Sequence, residues 1–129
     1  FSVEETSRTI NSLGFKNRVN IKQNDILKLQ VEQDADVVVS AFVAAHMEDP
    51  KAYFKKISTI LKSGGYAFVI VALNAAEIDH IYEFSKESEP ILMAEDVGLT
   101  LKDAQLAFPE NSNFKSRLPR SFAMSFLKL

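Results

Sequence analysis

DVVVSAFVAAHMEDPKAYFKKISTILKSGGYAFVIVAL, residues Asp36–Leu73, is the stretch on which the fold turns. Its opening, Asp36–Val43, is a continuous β-branched and aromatic run, which suits a strand buried on both faces of a parallel sheet. Asp49 and Pro50 then predict a helix start. The carboxylate caps free amides, and proline takes the first helical position, where its missing N–H costs nothing. Tyr53, Phe54, Ile57, Ile60 and Leu61 recur at helical spacing, and Lys62 suits the negative end of the helix dipole. Gly64 and Gly65 break the helix before a second apolar run, Tyr66–Leu73. Strand, helix and strand in this order predict a βαβ unit with a right-handed crossover.

Upstream, Ser2 and Glu5 have the spacing of a capping box, so a helix is expected over Val3–Leu13, stopped by Gly14. Arg18–Asn24 alternates Val19 and Ile21 with polar residues and predicts a strand, with Asp25 and Ile26 at its carboxyl end. Downstream, Ile78, Ile81, Tyr82 and Phe84 predict a helix within Ala75–Ser85, and Ser88–Pro90 start another that Gly98 ends. Leu99–Phe108 and Ser121–Leu129 read as strands. The first alternates imperfectly, and a polar loop, Pro109–Arg120, separates the two.

Composition sets the outer bounds. The sequence has 129 residues, 15 Lys plus Arg against 17 Asp plus Glu, a net charge of -2 and 47% hydrophobic residues, as expected of one soluble domain spanning residues 1–129. The balanced charge disfavours a nucleic-acid binder. The absence of cysteine excludes disulfides, thiolate nucleophiles and thiolate metal sites. No apolar stretch reaches the roughly 18 residues of a membrane span, so no membrane association is expected and the default location is cytoplasmic. The chain opens on Phe1, and Ser2–Arg8 is polar where a signal peptide would be apolar, so something upstream is expected to be missing.

In order and spacing, Asp36–Leu73 resembles the second half of class I S-adenosylmethionine-dependent methyltransferases. That family shows an Asp-led apolar strand, a loop often containing His, an Asp-Pro helix start, and a Leu-Lys-Pro-Gly-Gly helix end. Leu61, Lys62, Ser63, Gly64 and Gly65 match the last signature with serine in place of proline. Asn24–Leu27 is similar to the end of the family's third strand, whose acidic residue contacts the adenine amino group. Phe1–Glu4 is similar to the segment following the ribose-binding acid. The implied fold is α/β: a Rossmann-like, mainly parallel sheet flanked by helices, with a C-terminal antiparallel strand pair. The family's first two strands, its glycine-rich turn and its ribose acid would lie before Phe1. No GxGxG or GxGxxG occurs in the sequence. The family's outer third strand would then lack its neighbour, leaving an exposed strand edge. Upstream residues, pairing with the next strand, or a homodimer through that edge would each satisfy it.

The resemblance implies S-adenosylmethionine as cofactor and a small-molecule methyl acceptor as partner. It assigns Phe1, Asp25 and Ile26 to the adenine, and Ser40, Ala41 and Phe42 to the methionine end of the cofactor. His46, in the loop after the strongest strand, is the candidate catalytic base. Each has a plainer reading: a frayed terminal aromatic, a turn aspartate, core packing, an idle loop histidine. His46 and His80 are too far apart in sequence to make a metal-ligand pattern, so no metal is expected. Lys115, Arg117 and Arg120 read as an anion patch or as solvated surface. The competing function is a non-catalytic methyltransferase-like module that has lost cofactor binding and acts through another protein.

Overall fold

A computed structural model describes residues 2–74, 79–107 and 120–129. Helix α1, Val3–Ser12, begins where the capping box places it, with the Ser2 hydroxyl accepting from the Glu5 amide at 3.1 Å. None of its residues is buried. Strand β1, Ala35–Ala41, leads into a short 3-10 turn, Ala44–His46, and then into helix α2, Pro50–Ile60. The Asp49 carboxylate accepts from the Ala52 amide at 3.0 Å, and Pro50 is buried at the first position of the helix.

Strand β2 spans Leu61–Leu73, so the glycine pair opens a strand directly instead of closing a helical turn. Gly64 has φ +83°, and a Cβ on Gly65 would stand 2.9 Å from the carbonyl oxygens of Asp36 and Lys62. Glycine is therefore required twice, once for conformation and once for close approach. Lys62 is left to pair with Asp36 across a 3.4 Å gap.

Helix α3, Ser88–Glu95, is followed by Gly98 at φ +90°, and strands β3, Leu99–Ala107, and β4, Arg120–Lys128, complete the elements. The sheet order is β1-β2-β4-β3. β1 and β2 are parallel, while β4 is antiparallel to both β2 and β3. A register shift between Leu101 and Asp103 accounts for the imperfect alternation of β3. With one extra residue in the strand, Leu99 and Leu101 on one side of the bulge and Ala104 and Leu106 on the other all pack against the same core.

That core lies on one face of the sheet. Ala67, Val69, Val71 and Leu73 alternate inward from β2, Phe122, Met124 and Phe126 from β4, and Tyr53, Phe54 and Ile57 cover them from α2. The opposite face is open: Val39 is 72% exposed, Val37 52% and Phe68 46%. The expectation that Asp36–Val43 is buried on both faces therefore fails among the described residues, because α2 and α3 pack against the same core.

Two further expectations are corrected. Arg18–Asn24 forms no strand, since alternation makes a strand only where a neighbouring ladder takes up its amides and carbonyls. Residues 79–85 are not helical. Phe84 instead bridges to Leu73, while the rest of that expected helix, Ala75–Ile78, lies outside the described residues. Phe1, Lys115 and Arg117 also lie outside them, and Arg120 opens β4.

Glu89 anchors the entry to α3. One carboxylate oxygen accepts from the Ser85 hydroxyl at 2.6 Å and from the Ser85 and Lys86 amides, and the other accepts from the Tyr82 hydroxyl at 3.1 Å. The Ser85 hydroxyl bond leads in holding this carboxyl below the ordinary glutamate range, against an opposing push from burial. A depressed carboxylate stabilises the fold above its unfolded value and loses that contribution as pH falls. Glu89→Ala is therefore expected to melt below wild type at neutral pH, and the difference should shrink as thermal scans are taken to acid, below the ordinary glutamate range.

Candidate functional site

In open α/β sheets, ligands bind beyond the carboxyl ends of the parallel strands, where loops rather than side chains define the space. Here those ends belong to β1 and β2, and both leave the strand through a left-handed residue that is not glycine. Phe42 has φ 59° and Asn74 φ 55°. Asparagine tolerates that conformation, but an aromatic residue holds it at a cost of roughly 1–3 kcal/mol, and such strain concentrates at functional sites. The Phe42 amide is fixed by the Ile70 carbonyl at 2.9 Å, and its side chain is 46% exposed.

Of the three residues expected along the methionine end of a cofactor, Ala41 and Phe42 are exposed, while Ser40 is buried. The Ser40 hydroxyl lies 2.7 Å from the Tyr53 hydroxyl. Burial pushes the Tyr53 phenol up, with the Ser40 bond acting the other way, so the pair is a neutral lock between β1 and α2. Ser40 thus supports the strand end from beneath.

His46 ends the turn that follows β1. Its Nδ1 is 3.0 Å from the Asp79 carbonyl oxygen and 3.8 Å from the Asp79 carboxylate. The Ile81 and Tyr82 amides both donate to the Ala45 carbonyl at 2.9 Å, which ties the segment after β2 to the turn after β1. This brings His80 against His46, edge to face, with ring centroids 5.0 Å apart. When Nδ1 carries the proton and donates to the Asp79 carbonyl, Nε2 keeps the lone pair that a base needs. Asp79 and His80 gain a place at the site that sequence separation concealed. The available signal was topological: loops leaving two adjacent parallel strands emerge at the same edge.

Asp25 and Ile26 arrive separately. Asp25 follows no strand. Its carboxylate accepts from the Leu27 amide at 3.0 Å and caps a single 3-10 turn, Ile26–Lys28, with the Lys28 ammonium 3.9 Å away. Ile26 packs against the core, and the Lys56 ammonium secures the end of the turn by donating to the Leu29 carbonyl at 2.7 Å. An exposed carboxylate on a pinned turn fits the adenine-side acceptor, and the exposed Ala41–Phe42 end fits an apolar wall. Ser40 does not fit as a direct hydrogen-bond partner, because its hydroxyl is engaged below the surface.

A parallel strand pair with strained, tied loops at its carboxyl ends and an antiparallel extension defines a Rossmann-like ligand-binding α/β domain. The methyltransferase-domain family profile matches residues 3–69, and the chain belongs to that family, the class I S-adenosylmethionine-dependent methyltransferases. No curated protein matches the sequence. Among solved structures, the [4+2]-cyclase SpnF is similar with 11% identity and TM-score 0.79, over 98% of this chain and 62% of that one. The Burkholderia thailandensis 1,6-didemethyltoxoflavin-N1-methyltransferase, with bound 1,6-didemethyltoxoflavin and S-adenosylhomocysteine, shares 18% identity at TM-score 0.77, over 99% and 58%. The Streptomyces coelicolor geranyl diphosphate C-methyltransferase, in complex with Mg2+, geranyl diphosphate and S-adenosyl-L-homocysteine, shares 10% identity at TM-score 0.77, over 98% and 58%. The chain spans less than two thirds of the length of each. Likeness at these identities establishes the fold, and the presence of a cyclase among the neighbours shows that the fold does not fix the chemistry. Among the described residues, no helix is long and apolar enough to cross a membrane.

Proposed function

We propose that the protein carrying this chain transfers a methyl group from S-adenosylmethionine to a small-molecule acceptor, with His46 as the proton-accepting base. The observation that carries the proposal is the seating of His46 beyond the end of β1, with Nδ1 at 3.0 Å from the Asp79 carbonyl. The cofactor supplies a methyl on a positively charged sulfur, which an acceptor lone pair displaces directly. The chain's part is to hold acceptor and methyl in line, exclude water and take up the acceptor proton. In this reading Asp25 accepts from the adenine amino group, Ile26 supports the ring, and Ala41 and Phe42 line the sulfur end.

Titration of the whole protein with S-adenosylhomocysteine tests the binding half. One equivalent is expected to bind, in preference to ATP or NAD. Asp25→Ala is expected to weaken it roughly 10- to 100-fold, the range for losing a hydrogen bond to a charged group. Lys102→Ala, which removes an exposed cation on β3, should leave affinity unchanged. The open face of the sheet, with Val37, Val39 and Phe68 exposed, favours a second reading, a module that meets another chain, including a second copy, without cofactor. A folded protein that binds no S-adenosylhomocysteine would favour that reading over methyl transfer.

A further inference from the structure

We propose that His46, Asp79 and His80 form a binding site for a divalent transition-metal ion, zinc first among them. Each residue offers one ligand atom, and the three atoms lie within 4.8 Å of one another. Two imidazoles and one carboxylate are a donor set that such ions accept, with the remaining coordination positions left to water or another oxygen ligand. Magnesium and calcium are disfavoured, since they select oxygen donors and two of the three here are nitrogen.

The geometry needs little adjustment. With metal–ligand bonds of about 2.0–2.2 Å, ligand atoms around a tetrahedral ion stand about 3.4 Å apart. The His46 Nδ1 and an Asp79 carboxylate oxygen are already at 3.8 Å. The side chains of His46 and Asp79 are 39% and 70% exposed, so closing the remaining gap takes rotation at the surface without disturbing the core. The backbone beneath is fixed, because the Ile81 and Tyr82 amides hang from the Ala45 carbonyl next to His46. His46 binds the ion through Nδ1, which exchanges its contact with the Asp79 carbonyl at 3.0 Å for the metal. The ring proton then sits on Nε2, the nitrogen whose lone pair the proposed base would use, so metal-loaded and base-competent His46 exclude each other. The metal site itself does not depend on methyl transfer, and binding alone tests it.

The test is titration of the tag-free whole protein, first stripped with a chelator, with Co2+ as a visible stand-in and then with Zn2+. The expected result is d–d absorption that saturates at one cobalt per chain and is abolished by one equivalent of zinc. Asp79→Asn and His80→Ala should each weaken cobalt binding by at least the roughly 10- to 100-fold that loss of a residue merely supporting a ligand costs. Both side chains lie at the edge of the fold, and Asp79→Asn preserves shape, so circular dichroism should stay unchanged. The proposal is overturned if no absorption saturates at one equivalent, or if binding persists undiminished in both variants.

Discussion

Phe54→Ala is expected to lower stability by about 3–5 kcal/mol, the range for truncating a fully buried aromatic residue. Phe54 is entirely removed from solvent. Its ring meets those of Phe126 on β4 and of its neighbour Tyr53 edge to face, each at 6.4 Å. It therefore fastens α2 to the inner face of the sheet. Against a typical total of about 5–15 kcal/mol, the loss is a fifth or more of all stability. Urea denaturation of wild type and variant measures it as a fall in midpoint at unchanged slope. Val39→Ala is the matched contrast. Its side chain is 72% exposed on the outer face, so its cost should stay below about 1 kcal/mol. A Val39→Ala cost approaching that of a core truncation in the whole protein would show that the outer face is covered there.

The contrast between these two positions also explains how far the sequence could be read. β-Branched runs and helical spacing are local signals, and they located β1 and α2 closely and the body of β2, though not its start at Leu61. Capping chemistry is local too, so Ser2 and Asp49 mark their helix starts correctly. Burial is not local. DVVVSAFV reads as a strand covered on both faces, but whether Val37 and Val39 are covered depends on which elements cross the outer face, and α2 and α3 do not. Arg18–Asn24 failed for a related reason: alternation describes a strand's faces but supplies no partner for its backbone.

The candidate site divides along the same line. The resemblance pointed to the carboxyl end of β1, and the strained Phe42 there has no sequence signature, because nothing in a one-dimensional pattern announces an aromatic residue in a left-handed conformation. Ile81, Tyr82 and Phe84 have helical spacing, yet the spacing serves another end. Two of their amides hold the Ala45 carbonyl, and Phe84 closes a bridge to Leu73. That arrangement carries Asp79 and His80 to His46, across 33 residues of chain to Asp79. Separation along the chain is therefore no measure of the distance between the two histidines, whose ring centroids stand 5.0 Å apart. Parallel neighbours remove that separation, because their following loops share an edge.

His46→Ala is expected to cut kcat for methyl transfer roughly 10²- to 10⁴-fold, the usual contribution of a positioned proton acceptor, with the KM for S-adenosylmethionine unchanged. The assay is release of S-adenosylhomocysteine by the whole protein with acceptors drawn from phenols, alcohols, amines and thioethers. The magnitude depends on the acceptor in a calculable direction. A hydroxyl is a weak nucleophile until its proton leaves, so its methylation should lose the full factor. A tertiary amine or a thioether carries its lone pair free of any proton and should lose almost nothing, so the size of the effect reports the acceptor class. The acceptor series also separates chemistry from structure: His46→Ala should still methylate a thioether, whereas a variant that was merely misfolded would lose rate with every acceptor. Asp79→Ala sharpens the argument further. It removes the carboxylate at 3.8 Å but keeps the backbone carbonyl at 3.0 Å, so the ring stays oriented and the loss should be far smaller than at His46. Equal losses at the two positions would instead mean that the carboxylate, and not the carbonyl, keeps His46 in its working tautomer.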